Sequence, residues 1–459
     1  MVSHRFQWVF CHLETLRQAL PLNVRSILEG LPECLDATYE QILNGICKVN
    51  RGIAHRLMQC LVVAVRPLRI EELAEVIVVD FDTEGTRPIL KPCLRWPDQE
   101  NAVMSACSGL INIVYAGGSR IVQFSHYSVK EYLMSDRFAE SNSEVSCYQI
   151  QLEPTHTILA QACLGVLLRL DHTVDRDSIQ KFPLARYAAQ YWVKHAQFGN
   201  VASKIEDRMD SLFDVDKHHF STWLWVYDED DRSSTPEMRP SKSKPVPLYY
   251  GALFGFHDLA RLLLKVHPES INAQGGYHGT PLHASASRGH VDLSSLLIHH
   301  LPDDVDIRNI WNQTPLHRAA REGYLEIGQQ LLSRGVNVEA QDEGGWTPLH
   351  SAAFRGRVEF TRILLERDHS AEVNASNNDG RSPLHLASIR GQVEVIRLLL
   401  KHGADRHARD KDGLTPCDIA SNSGHNNGEI VRLLSLQAEG GAGAVEKLGS
   451  TLPTMMHLQ

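Results

Sequence analysis

No stretch of this sequence is apolar for long enough to cross a bilayer. The longest runs, such as Cys60–Val65, fall far short of the ~20 residues that a span needs. Residues Met1–Leu13 lack a long apolar core and a small-residue cleavage site, so no secretory signal is expected. No Cys-x-x-Cys pair occurs among Cys11, Cys34, Cys47, Cys60, Cys93, Cys107, Cys147, Cys163 and Cys417. Their number is odd and their spacing irregular, which argues against a disulfide framework and for a reducing compartment. An excess of positive charge is missing too. With 46 Lys and Arg against 55 Asp and Glu, the net charge is −9. Nucleic-acid affinity rests largely on neutralising phosphates, so a generic polyanion binder is not expected. Finally, G-x-x-x-x-G-K-[ST] occurs nowhere, so no backbone cradle and lysine are expected to meet a nucleotide. These absences predict a soluble, intracellular protein, nuclear or cytoplasmic. Its 459 residues and 43% hydrophobic content suffice for two to three folded domains.

What the sequence does contain is a repeat. Thr-Pro-Leu-His occurs at Thr280–His283, Thr314–His317 and Thr347–His350, followed by Ser382–His385, Thr415–Asp418 (TPCD) and an outlying Val246–Tyr249 (VPLY). The steps between starts are 34, 34, 33, 35 and 33 residues, and a glycine follows each start by nine: Gly255, Gly289, Gly323, Gly356, Gly391 and Gly424. Thr or Ser suits an N-cap. Proline fits the first helical position, having the right φ and no N–H to waste. Leucine opens the buried face, and small pairs (Ala319–Ala320, Ala352–Ala353) let neighbouring helices approach. The glycine ends the helix. A second helix with a broad apolar face follows in each unit, as in Val291, Leu293, Leu296, Leu297; Val358, Phe360, Ile363, Leu364; and Val393, Val395, Ile396, Leu399. Gly335 and Gly403 suit left-handed helix ends. Leu301, at the equivalent position and followed by Pro302, predicts a distorted loop.

These motifs, over about Val246–Leu436, closely resemble the ankyrin repeat family. The resemblance implies helix–turn–helix units joined by hairpin-like loops and stacked into a solenoid whose stability comes from neighbours. Val246 at the first start and Cys417–Asp418 at the last depart from the pattern, as capping repeats would.

Residues 1–200 read as mostly helical. Asp36 can cap a helix bearing Tyr39, Ile42, Leu43 and Ile46. Ile53–Val65 is a second helix, stopped by Arg66–Pro67. Ile70, Leu73, Ala74 and Ile77 suggest a third. Strand-like runs Leu110–Tyr115 and Arg120–Phe124 then flank Ala116–Gly117–Gly118, which is the plan of a winged helix. The strings Arg5–Val9 (RFQWV), Leu31–Tyr39 (LPECLDATY), Arg66–Leu68 with Glu71–Ala74, and His126–Leu133 (HYSVKEYL) resemble the segment after the nucleotide-binding core of fungal NACHT-type STAND proteins, signal-transducing NTPases of which several end in ankyrin repeats. The resemblance implies a fungal source and a regulatory lineage. Because the family's phosphate loop precedes this segment, the chain is expected to be a truncated or degenerate relative, unable to hydrolyse ATP by itself.

The expected fold class is therefore mainly α, an ankyrin-repeat solenoid preceded by a helical/winged-helix domain. The expected layout is a winged-helix-like region at 1–145, a helical bridge at 146–227, a linker at 228–245, six repeats starting at 246, 280, 314, 347, 382 and 415 and ending at 436, and a disordered tail at 437–459. Val76–Asp80 reads as a helix end or buried strand rather than a metal-binding strand. Asp228–Asp231 reads as solvated linker. His283, His317, His350 and His385 recur once per repeat, too far apart for ~2 Å metal bonds, and are expected to bond local backbone. No catalytic residue, cofactor or metal site is expected. The family resemblance implies partner binding by loop tips and the concave helix face. Tip candidates include Trp311 and Trp346, which either cover a neighbouring loop or bind. Face candidates, taken at fixed offsets from each start, are Tyr250, Phe254, Arg288, Arg318, Arg321, Phe354, Arg355 and Arg390. Arginine forks onto carboxylates, so the expected partner is a protein with an acidic, partly apolar segment, bound without membrane or direct nucleic-acid contact. The function this predicts is a non-enzymatic regulatory interaction protein, a coregulator or scaffold. A piece of a STAND switch is the rival.

Overall fold

The computed structural model describes residues 35–81, 89–107, 109–136, 144–175, 177–227, 246–301, 305–366, 371–422 and 428–435. The motif at Arg5–Val9, most of that at Leu31–Tyr39, the 228–245 linker, Gly424 and the 437–459 tail lie outside them. The chain divides into two compact units, residues 1–270 with 275–277, and residues 271–274 with 278–459.

The first unit opens with α1 (Leu35–Gly45) and α2 (Arg51–Val63). Asp36 sits in the first turn of α1 rather than before it. Strand β1 (Leu68–Arg69) leads into α3 (Ile70–Ile77), then β2 (Val79–Asp80) and β3 (Ile89–Leu90), which pair with each other. Helix α4 (Gln99–Ala106) precedes β4 (Ile111–Ala116) and β5 (Ser119–Phe124). Ala116 pairs with Ser119 across a two-residue turn in which Gly117 and Gly118 have φ of 56° and 77°. Both turn residues need positive φ in a type I′ hairpin, which is why two glycines stand here. β1 joins the other edge of β5, giving the order β1-β5-β4. Three helices and a hairpin thus form the expected winged helix, with β1 an unforeseen third strand. The wing is tied down: Arg120 on β5 donates to Glu71 of α3 at 2.8 Å and to Glu100 of α4 at 2.9 Å. The start of α3 is fixed from inside, because the wholly buried Glu72 carboxylate receives both guanidinium arms of Arg66 (2.7 and 2.8 Å) and the Arg69 backbone N–H (2.9 Å).

Beyond the wing come α5 (Tyr127–Leu133), α6 (Leu152–Leu167), α7 (Ala185–Ala196), α8 (Val201–Lys204), α9 (Glu206–Phe213) and α10 (His219–Val226). The helix pair of the first repeat, α11 (Pro247–Phe254) and α12 (His257–Val266), falls in this same unit. Its rings complete an aromatic core: Trp223 lies 6.2 Å from Tyr250 and 6.0 Å from Phe254, and Trp192 stacks on Phe256 at 5.5 Å between ring centres. The Trp223 indole N–H donates to the Ala189 carbonyl at 2.9 Å. Trp223 thus packs on the first repeat.

The second unit holds five helix pairs: α13 (Pro281–Arg288) and α14 (Val291–His300); α15 (Pro315–Glu322) and α16 (Leu325–Ser333); α17 (Pro348–Arg355) and α18 (Val358–Leu365); α19 (Pro383–Arg390) and α20 (Val393–Lys401); α21 (Pro416–Asn422) and α22 (Gly428–Ser435). First helices pack on first helices and second on second along the stack. Leu282, Leu316, Leu349 and Leu384 are buried, as are Ala319–Ala320 and Ala352–Ala353. The five described glycines that end first helices, Gly255, Gly289, Gly323, Gly356 and Gly391, are left-handed, with φ between 70° and 87°. Leu301 at the end of α14 is extended (φ −71°, ψ 140°), as is Glu366 at the end of α18, and the loop expected to be distorted at Pro302 lies outside the described residues.

Candidate protein-interaction surface

The repeat's histidine does more than fix its own turn. In three repeats the backbone N–H of the capping residue donates to the ring Nδ1 three residues on: Thr314 to His317, Thr347 to His350 and Ser382 to His385, each at 3.1 Å. Nδ1 therefore carries no proton, and the neutral ring must carry it on Nε2. Nε2–H donates to a carbonyl of the next repeat: His283 to Gln313 (2.8 Å), His317 to Trp346 (2.8 Å), His350 to Arg381 (3.0 Å) and His385 to Leu414 (3.2 Å). The bond expected within one turn thus staples adjacent repeats. Burial pushes the imidazoles down, His283 to about 3, and His317 and His350 to about 4. In the last repeat Asp418 replaces histidine. Its carboxylate still accepts from the Thr415 N–H (2.9 Å) and hydroxyl (2.7 Å).

Five residues before each start from the third repeat on stands an Asn or Asp: Asn309, Asp342, Asn377 and Asp410. Each Oδ1 accepts two backbone N–H groups, two and four residues on, at 2.8–3.0 Å. The residue three on is left-handed: Asn312 (φ 59°), Gly345, Gly380 and Gly413. Asn tolerates that region better than most residues. Adjacent tips are bonded through Glu343 N–H to Trp311 O (3.1 Å), Asn378 N–H to Gly344 O (2.9 Å) and Lys411 N–H to Asp379 O (2.9 Å). This Asx pattern was the signal for hairpin geometry that reading the starts alone passes over. The tips are consequently rigid and evenly placed, which lowers the ordering cost of binding.

On this frame the candidate side chains separate into three groups. Trp311 and Trp346 are half-buried, each beside its own repeat's first helix: Arg318 lies over the Trp311 ring at 5.2 Å, and Trp346 meets Phe354 edge-on at 5.2 Å. Arg390 of the following repeat lies over the same Phe354 ring at 4.3 Å. These five are the first group, in two clusters, and Arg390 and Arg318 also belong to the second and third groups respectively. Arg288, Arg321, Arg355 and Arg390 form the second: each stands in the last turn of a successive first helix, exposed or, for Arg321, half-exposed. Arg321 has Glu322 at 3.6 Å, and Arg357 donates to the Arg321 carbonyl at 3.2 Å. The third group is not surface. Tyr250 and Phe254 are 4% and 6% exposed within the aromatic core of the first unit, and Arg318 is 4% exposed beneath Trp311. Their offsets matched those of surface positions, but α10 covers the first pair and a loop tip covers Arg318.

Residues 248–342 and 302–377 match ankyrin repeats (3 copies), and residues 364–420 match ankyrin repeats (many copies). The C-terminal half carries ankyrin repeats. Residues 39–147 match the winged helix domain of GPI inositol-deacylase, the stretch built from α1 to α5 and the three-stranded sheet. The chain is 31% identical over 278 residues to azaphilone pigments biosynthesis cluster protein L of Monascus ruber, a match covering 55% of this chain and 56% of that relative. The chain thus spans about half the length of the relative it matches. The ankyrin repeats point to a protein partner, and among the described residues no helix is long and apolar enough to cross a membrane.

Proposed function

We propose that this chain is a non-enzymatic, intracellular regulatory protein whose ankyrin repeats hold an acidic, partly apolar segment of a partner protein against their first-helix face and loop tips. The carrying observation is that four consecutive first helices, α13, α15, α17 and α19, each carry an arginine in their last turn, with Arg390 over the Phe354 ring that Trp346 also meets. Guanidinium groups fork onto carboxylates, and aromatic rings give apolar area at low entropic cost. The output is that of a coregulator or scaffold, with the winged helix at 1–145, the bridge at 146–227 and the linker at 228–245 serving the repeats at 246–436. The pairing of Arg120 with Glu71 and Glu100 supports a wing that meets protein rather than DNA phosphate. The printed name of the Monascus relative ties that protein to a pigment biosynthesis cluster, which supports a regulatory place beside biosynthetic enzymes for this chain also.

The test is charge reversal of Arg321, Arg355 and Arg390 to glutamate together in the full chain. Arg318 is spared because reversing a buried charge would unfold the stack. Binding of an acidic, aromatic-bearing peptide should fall at least about a hundredfold, the loss of roughly 3 kcal/mol that one or two charge-assisted bonds supply. Unchanged binding by the folded variant removes the surface assignment. The winged helix match supports a second reading, a relative of a STAND signalling switch. Nucleotide turnover by the purified chain alone would favour it.

A further inference from the structure

The three-stranded sheet of the first unit has two edges, and they are built differently. At one edge β1 is two residues long, follows Pro67 and carries Arg69. Short length, proline and charge are devices that keep an edge from pairing with a further strand. At the other edge β4 has none of them. Its six residues, Ile111–Ala116, include no charge and no proline, and their six consecutive pairs with β5 leave no bulge. The Gly117–Gly118 turn settles which groups face outward. A two-residue turn closes on a hydrogen-bonded pair, here Ala116 with Ser119, and bonded pairs alternate with non-bonded ones along the strands. Asn112, Val114 and Ala116 therefore bond to β5, while the N–H and C=O of Ile113 and Tyr115 point away from it. Among the described residues no hydrogen bond occupies those outward groups. The side chains beside them are open to solvent, Val114 being 39% and Tyr115 77% exposed.

An unguarded edge of this kind takes up a strand. The strand that fits must itself be long, uncharged and free along one side. Among the described strands β4 alone meets all three conditions. β5 is covered on both sides, and β1, β2 and β3 have two residues each. We propose that β4 pairs antiparallel with β4 of a second copy of this chain, joining two three-stranded sheets into one. Such a contact is self-complementary and carries a two-fold axis. Outward groups must meet outward groups, so the axis passes through a residue of β4 rather than between two. An axis at Val114 sets Ile113 against Tyr115 of the second copy, with main-chain bonds exchanged in both directions, and sets the two Val114 side chains against each other. An axis at Ile113 would oppose Asn112 to Val114 and draw in Ile111, which is buried. The main-chain bonds give the affinity. The uncharged strands let two chains of net charge −9 meet without local repulsion. This proposal is independent of the acidic-partner function.

The experiment measures the mass of the full chain by sedimentation equilibrium over about a hundredfold range of concentration. A reversible dimer is expected, with a Kd in the micromolar range because the contact is small. Tyr115→Pro removes one outward N–H and leaves the ladder to β5 whole. Val114→Lys sets two ammonium groups against each other at the axis. Each should weaken the dimer at least about tenfold with unchanged circular dichroism. The register is read by cross-linking. A non-bonded antiparallel pair holds its Cα atoms about 4.5 Å apart, within disulfide reach. Val114→Cys should therefore give a covalent dimer on mild oxidation, above the background from the exposed Cys47, Cys93 and Cys147. Asn112→Cys, about 14 Å from its equivalent in this register, should not. A chain that stays monomeric at about 100 µM overturns the proposal. So does a dimer that survives both Tyr115→Pro and Val114→Lys, or one that Val114→Cys fails to cross-link above background. A monomer whose β4 edge takes an uncharged peptide strand instead would also overturn the second copy as occupant.

Discussion

At the scale of the residue, His317 and His350 each close three separate requirements. The ring takes the capping N–H, donates across to the next repeat, and fills the space between two first helices. Replacing His350 with leucine keeps the volume but strands the buried Thr347 N–H and removes the bond to Arg381. The expected cost is about 2–3 kcal/mol, read as a lower urea midpoint with unchanged slope. The same histidines make the stack sensitive to acid. Unfolded imidazoles take up protons below about pH 6.5, whereas His317 and His350 stay neutral in the fold down to about 4. Protons therefore favour the unfolded chain, and stability is complete above 6.5 and declines as pH falls towards 4. Each ring contributes up to about 1.4 kcal/mol per pH unit in that window. The His350→Leu variant should show a shallower decline between pH 6.5 and 4.5. An identical slope would mean the ring is charged in the fold. Composition and spacing revealed that these residues recur once per repeat. They could not reveal the partner carbonyl, which lies 29 to 31 residues downstream and is near only once the repeats are stacked.

At the scale of the element, the helices of the repeat were legible because cap, proline, leucine and glycine all act locally. The α3 span was legible from its apolar spacing, whereas α2, read as Ile53–Val65 because Pro67 was taken as its stop, runs from Arg51 to Val63. Strand β1 was not legible, because two residues carry no periodicity and its pairing with β5 is decided 54 residues away, as for Leu68 and Val122. Packing can also reverse what local propensity favours. Gly328 lies inside α16, where alanine would gain about 1 kcal/mol of helix propensity. A Cβ there would stand 2.5 Å from the Phe360 ring of α18, which is buried and has nowhere to go. Gly328→Ala should destabilise the protein by about 1–2 kcal/mol net of that propensity gain. Adding Phe360→Leu should restore part of the loss, a coupling that a double-mutant cycle by urea unfolding would read. Strict additivity would contradict the contact.

At the scale of the whole molecule, the sequence showed two kinds of architecture and the order in which they occur, but counted all six repeats as one stack. The helix pair α11–α12 belongs to the first compact unit, where Tyr250, Phe254 and Phe256 finish the core around Trp192 and Trp223. A fragment of residues 35–245 should therefore unfold at clearly lower urea than one of residues 35–277, and it should expose apolar surface to a hydrophobic dye. Equal midpoints would mean these rings are dispensable. Tyr250 and Phe254 were chosen as surface from their offsets because the covering residues, Phe220 and Trp223, lie before the repeats and outside their pattern.

The measurement that bears most directly on the account is amide hydrogen exchange of the full chain with and without a saturating acidic peptide. Protection should concentrate in residues 308–323, 341–356 and 385–392, where the tips and the arginine-bearing helix ends lie. Protection confined to residues 35–227, or to the second helices α16, α18 and α20, would place the partner elsewhere and contradict it.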